Sequence, residues 1–141
     1  MTITLTTFRD QLENRLSDTA NLIFSTACLD EAIRGALSDL SGTYGTALQL
    51  KDLDGADSTT FEEVDLHPLL VGATAYALRF RLYEKSEEAI PAYDRSEDLA
   101  KWATDTMNEF QALLTHIRLR RFYESLDHPY SQWEWDETSN G

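Results

Sequence analysis

The stretch from Asp65 to about Lys85 constrains the fold most, because its apolar residues run around a helix and not along one side of it. Leu69, Leu70, Val71, Ala73, Ala75, Tyr76, Ala77, Leu78, Phe80, Leu82 and Tyr83 leave little polar face at helical spacing. A helix that is apolar on most sides must be covered on most sides, which is the place of a central helix in a bundle. Asp65 suits the cap before it, and Pro68 falls in the first turn, where a missing N–H costs little. Gly72, Ala73 and Ala77 would let a neighbouring helix approach closely.

The covering helices are legible on both sides. Phe8, Leu12 and Leu16 recur at four-residue spacing after Thr6 and Thr7, which gives a short amphipathic helix over about Phe8 to Leu16. A second helix begins near Ser25 or Thr26. Leu29, Ile33, Ala36, Leu37 and Leu40 form its stripe, and Gly42 and Gly45 close it. After Pro91, Asp94 or Ser96 caps a long helix reaching about Leu126, with Leu99, Trp102, Ala103, Met107, Phe110, Leu113, Leu114 and Ile117 in period. Phe122, Tyr123 and Leu126 continue past that stripe, as if the helix projected beyond the bundle.

Two segments differ. In residues 46–65, Leu48 and Leu50 alternate with polar neighbours, Asp54-Gly55 is a turn signal and Thr59-Thr60-Phe61 favours strand. The expectation is a small β-hairpin or an ordered loop. Residues 128–141 follow a break at Pro129 and contain Tyr130, Trp133 and Trp135. Read as an extended segment, a spacing of two puts both indoles on one side. The fold expected is therefore all-α: a four-helix bundle domain over 1–127, an insert at about 46–65, and an extended C-terminal docking tail over 128–141.

Charge limits the partners. The net charge is −13, and it lies at the two ends: 12 acids against 4 bases in 1–66, 8 of each in 67–121, and 5 acids with no base in 122–141. Such a surface repels nucleic acid as a static partner. It serves solubility, or a surface that lies close to DNA without sticking. Cys28 is the single cysteine, so no intramolecular disulfide can form. The start of the chain lacks a signal-peptide pattern, and the apolar run Leu69–Leu78 is about half a membrane span.

No catalytic, cofactor or metal arrangement of weight emerges, so a non-enzyme is expected. His67, His116 and His128 stand singly, and Asp65-x-His67 is better explained as a cap and a first-turn residue. Glu62-Glu63 and Glu87-Glu88 lie in turn-like polar surroundings, without the burial that tunes a general acid. Arg118, Arg120 and Arg121 form the one basic cluster. They complement the dipole at a helix end, or they dock an acidic surface of a partner or of another copy. Tyr130, Trp133 and Trp135 fold back on the bundle, or they anchor a partner, as large aromatics do at interfaces.

The run Ser25–Ser41, with Leu29-Asp30-Glu31-Ala32-Ile33-Arg34-Gly35-Ala36-Leu37 at its centre, resembles the second helix of head–tail connector adaptor proteins of tailed bacteriophages. His67–Arg81 resembles that family's central helix, and the long helix and trailing segment complete its order of parts. The resemblance implies a homo-oligomeric ring, commonly of about twelve copies, docked beneath the portal protein. Such a ring extends the DNA channel and carries a stopper or tail protein on its other face, in the virion, with no membrane partner. Portal binding would then fall on Tyr130, Trp133 and Trp135, with Phe122, Tyr123, Arg118, Arg120 and Arg121 near the hinge. Asp52, Asp54, Asp57, Glu62 and Glu63 are the candidate channel-lining acids, past which DNA would slide without specific binding. The alternative is an acidic helical binding or regulatory module, a DNA-mimic-like inhibitor of a basic protein. A small carboxylate-metal hydrolase is a distant third.

Overall fold

The structure, a computed structural model, describes residues 3–17, 24–87 and 93–140, with side chains described except at 84–87, 93–97 and 127–140. Four helices follow in order: α1 Leu5–Leu16, α2 Thr26–Tyr44, α3 Leu66–Glu87 and α4 Tyr93–Asn140. The architecture is all-α. The central place of α3 follows its sequence: it packs chiefly on α2 and α4 and also meets α1. Leu69, Val71, Ala73, Ala75, Ala77 and Leu78 have no exposed surface. A Cβ added to Gly72 would sit 2.6 Å from the Phe110 ring carbons of α4. The missing side chain is thus what lets α4 lie so close to α3.

The caps are local and differ slightly from expectation. Thr4, and not Thr6 or Thr7, caps α1, its hydroxyl accepting from the Thr7 amide. The chain pairs Leu5 N–H with the Lys51 carbonyl at 3.0 Å, and this fixes the helix start one turn earlier. Ser25 caps α2 by accepting from the Cys28 amide at 3.1 Å, and Gly45 ends it in the left-handed conformation. Phe8, Leu12 and Leu16 of α1 and Leu29, Ile33, Ala36, Leu37 and Leu40 of α2 are buried as their spacing predicts. Arg9 ties the two helices, donating two bonds to Asp30 at 2.8 and 2.7 Å.

The insert is an ordered loop, and no hairpin ladder forms. Its 3₁₀ turns are Leu53–Gly55 and Glu63–Asp65, and the bridge it makes is a single parallel one, Lys51 to Thr4. The Asp54-Gly55 signal does produce a tight turn, with positive φ at both residues and the Ala56 amide donating to the Leu53 carbonyl at 3.1 Å. The limbs share only scattered backbone bonds, Thr60 N–H to the Gln49 carbonyl at 3.0 Å and Asp52 N–H to the Ala56 carbonyl at 2.9 Å, and threonine hydroxyls take the places of other backbone groups. Thr60 Oγ1 accepts from the Gln49 amide, while Thr59 Oγ1 accepts from the Lys51 amide and donates to the Ile3 carbonyl at 2.6 Å. Leu50, Leu53 and Phe61 are buried and anchor the loop in the core.

The expected extended tail is replaced by helix: α4 is 48 residues long and runs through Pro129 to Asn140. Proline's fixed φ is itself helical, so the ring forfeits one ladder bond and clashes locally without dictating extended chain. At helical spacing, positions 133 and 135 are about 200° apart. They therefore fall on opposite sides of α4, not on one.

Candidate docking surface on the distal half of helix α4

The long helix buries one face and then exposes another. Ala103, Thr106, Phe110, Leu114 and Ile117 are buried, and at about 100° per residue they share one side of α4. Leu119, Phe122, Tyr123 and Leu126 are 50%, 56%, 65% and 40% exposed. They share an arc about half a turn away from the buried side. The Phe122 and Tyr123 rings meet edge-on, with centroids 5.9 Å apart. Large exposed apolar side chains in one stripe need a partner or cost solubility.

A polar node fixes α4 where one half gives way to the other. Tyr44, at the end of α2, donates its hydroxyl to Asp65 Oδ1 at 2.5 Å. Arg120 Nη2 donates to the same hydroxyl oxygen at 2.9 Å, and the Arg121 guanidinium lies 4.9 Å from the Tyr44 ring centroid. Asp65 is 3% exposed, so its carboxylate depends on its two donors, the Tyr44 hydroxyl and the Glu62 amide at 3.4 Å. Burial first, and then the bond to Asp65, push the Tyr44 hydroxyl up to about 12. The hydroxyl is therefore a proton donor throughout the ordinary pH range. A cavity of about 450 Å³ opens beside the node, lined in part by Phe61, Glu62, Arg121 and Glu124.

The expected portal-binding residues thus divide. Arg120 and Arg121 are committed to Tyr44 and hold α4 to the bundle. Arg118 is exposed, one helical turn before Phe122. Tyr130, Trp133 and Trp135 belong to α4, and their side chains lie outside the described residues. The coupling of Tyr44 to Asp65 and Arg120 was not legible in sequence. Tyr44 reads there only as the residue before a helix-ending glycine, and nothing links it to positions 21 and 76 residues away.

The expected channel acids all sit on the loop between α2 and α3. Asp52, Asp57, Glu62 and Glu63 are exposed. Asp54 is exposed but engaged: Arg34 Nε and Nη2 donate to it at 2.9 and 2.8 Å, and Arg34 also pairs with Glu31. The hydrogen bond from Arg34 holds the Asp54 carboxyl below its ordinary range. Asp54 therefore carries less uncompensated charge than its neighbours.

Among the described residues, no group of three or more His, Cys, Asp or Glu side chains is placed to hold a metal ion. Every buried side-chain nitrogen or oxygen among them has a hydrogen-bond partner. No helix there is long and apolar enough to cross a membrane. Comparison with protein-family models, curated proteins and solved structures finds no match.

Proposed function

We propose that this chain is a structural adaptor of a tailed-phage head–tail connector. It forms a ring beneath the portal protein, extends the DNA channel and joins the head to the stopper or tail. The observation that carries this reading is the distal half of α4: a stripe of exposed large apolar side chains, next to arginines, turned away from a core that is complete without it. An arm of that kind is what a ring subunit needs to grip a second protein. The resemblance of Ser25–Ser41 and His67–Arg81 to the adaptor family supplies the identity of that protein, the portal. The acids at Asp52, Asp57, Glu62 and Glu63 would keep a channel wall from adhering to the DNA passing through it.

The test is capture by a portal ring. Truncation before Pro129, which removes Tyr130, Trp133 and Trp135 and leaves Phe122 and Tyr123, is expected to weaken docking strongly while the bundle melts as before, and Trp133→Ala or Trp135→Ala to weaken it by roughly 1–3 kcal/mol each. Undiminished capture of the truncated chain would remove the role of residues 129–141 and leave the grip to the stripe before them. The alternative, a DNA-mimic-like inhibitor, predicts tight binding to a basic protein that weakens steeply with salt. An exposed apolar stripe has no use in that reading, which is why the adaptor is preferred.

A further inference from the structure

We propose that the cavity between the α2–α3 loop and α4 is a peptide-binding site, which takes an aspartate or glutamate flanked by large apolar residues of a partner protein. The inference rests on the chemistry of this cavity, not on the adaptor reading or on the exposed stripe of α4.

Two segments that are far apart in sequence build the cavity. The loop contributes Leu48, Phe61 and Val64 to its lining, and α4 contributes Arg120 and Arg121. Its volume, about 450 Å³, falls in the range of sites for small ligands, so it holds a few side chains and not a folded domain. The apolar wall is anchored in the core at Phe61, whereas Val64 is 56% exposed. An apolar side chain laid against that edge would remove it from water.

The arginines select the charge of the occupant. A guanidinium offers several N–H donors in a planar fork. Arg120 is part-buried and donates to a neutral acceptor, the Tyr44 hydroxyl, at 2.9 Å. Arg121 lies over the face of the Tyr44 ring. Neither arginine forms an ion pair among the described residues. Their remaining donors suit a planar acceptor brought from outside, and a carboxylate matches the fork with two parallel bonds.

The acids limit how much negative charge can enter. Glu62 and Glu124 line the same cavity and stand in no ion pair among the described residues, and Asp65 adds a third carboxylate. Against two guanidiniums, these carboxylates oppose a phosphate dianion or a nucleic-acid strand. A single carboxylate brings the least charge that the fork can use. Because the local charges nearly balance, affinity comes from short-range contact, the fork on the carboxylate and the wall on the apolar neighbours.

The test is titration of the full chain with N-acetyl-Leu-Glu-Leu-amide, followed by NMR of backbone amides and arginine Nε–H groups. Saturating shifts are expected at Arg120, Arg121, Leu48, Phe61 and Val64, with a dissociation constant on the order of 0.1–1 mM. The analogue with glutamine in place of the glutamate should bind at least about tenfold more weakly, because the charge on the acceptor is lost. Arg121→Gln should cost about tenfold. Lys101→Gln, the same change of charge about 30 Å away along α4, should leave affinity within about twofold. Glu124→Gln should tighten binding by about twofold, since it removes a competing carboxylate. Equal binding of the two peptides overturns the proposal, as does the absence of shifts at these five positions. Equal shifts with inorganic phosphate at the same concentration also overturn it, because they mark a general anion site. Melting of each variant separates lost binding from lost fold, and if Arg121→Gln unfolds, the two peptides alone decide. Portal capture is tested separately, so either reading can fail without the other.

Discussion

The two halves of α4 are built from similar residue types and end up in opposite circumstances. Between Leu99 and Ile117 most apolar positions line one side and close the core, Phe110 against the open backbone of Gly72, while Trp102, expected in the same stripe, is 43% exposed. From Leu119 to Leu126 they line the other side and stand in solvent. Arg120 and Arg121, holding Tyr44, mark where the stripe changes sides. The lesson is that the helix's register, not its hydrophobicity, separates what folds the chain from what the chain presents to others.

Substitutions on the two sides should therefore differ sharply in thermal or denaturant unfolding. Phe110→Ala removes a fully buried ring and should destabilise by about 3–5 kcal/mol. Phe122→Ala should stay within about 0.5 kcal/mol. Comparable losses at both positions would erase the distinction between the halves. Gly72→Ala sharpens the same comparison from the α3 side. The new methyl meets the Phe110 ring and should cost about 1–3 kcal/mol, whereas Gly42→Ala, with open space around it, should be neutral or stabilising.

The node between the halves gives smaller effects. Tyr44→Phe removes the hydroxyl that Asp65 and Arg120 share and should cost about 1–3 kcal/mol, since a buried carboxylate loses the shorter of its two hydrogen bonds. A Phe variant as stable as the parent would mean that the node does not hold α4. The smallest effect lies in pH. Burial, followed by a carboxylate bond, raises both Tyr44 and Tyr76 from 10.0 to about 12 in the folded chain. Protonated tyrosine is thus favoured by folding. Its contribution is complete below pH 10.0 and is lost as pH rises through about 12. Melting temperature should fall across that window, and less steeply in Tyr44→Phe/Tyr76→Phe.

What sequence could reveal follows from which forces are local. The helical period of α1, α2, α3 and the proximal half of α4 reports burial directly, so the bundle and nearly all of its core are legible. The Asp54-Gly55 turn is legible for the same reason, because its geometry depends on those two residues. The hairpin was not, since Thr59 and Thr60 divert the ladder into side-chain bonds that reach Ile3, Gln49 and Lys51. The end of α4 departs from the sequence expectation because a single proline does not outweigh the helix-compatible residues around it. The helix changes the meaning of Trp133 and Trp135, from a pair on one strand face to positions on opposite sides. The Tyr44 node joins three distant segments by hydrogen bonds and leaves no periodic trace.

The most direct test is to mix the full chain with a portal ring and compare it with Phe122→Ala/Tyr123→Ala by electron microscopy and a binding titration. The account predicts that the full chain adds a ring of density beneath the portal. The double variant, folded and melting as before, should bind at least about tenfold more weakly. Equal binding by the two chains, or no capture of the full chain, would contradict it.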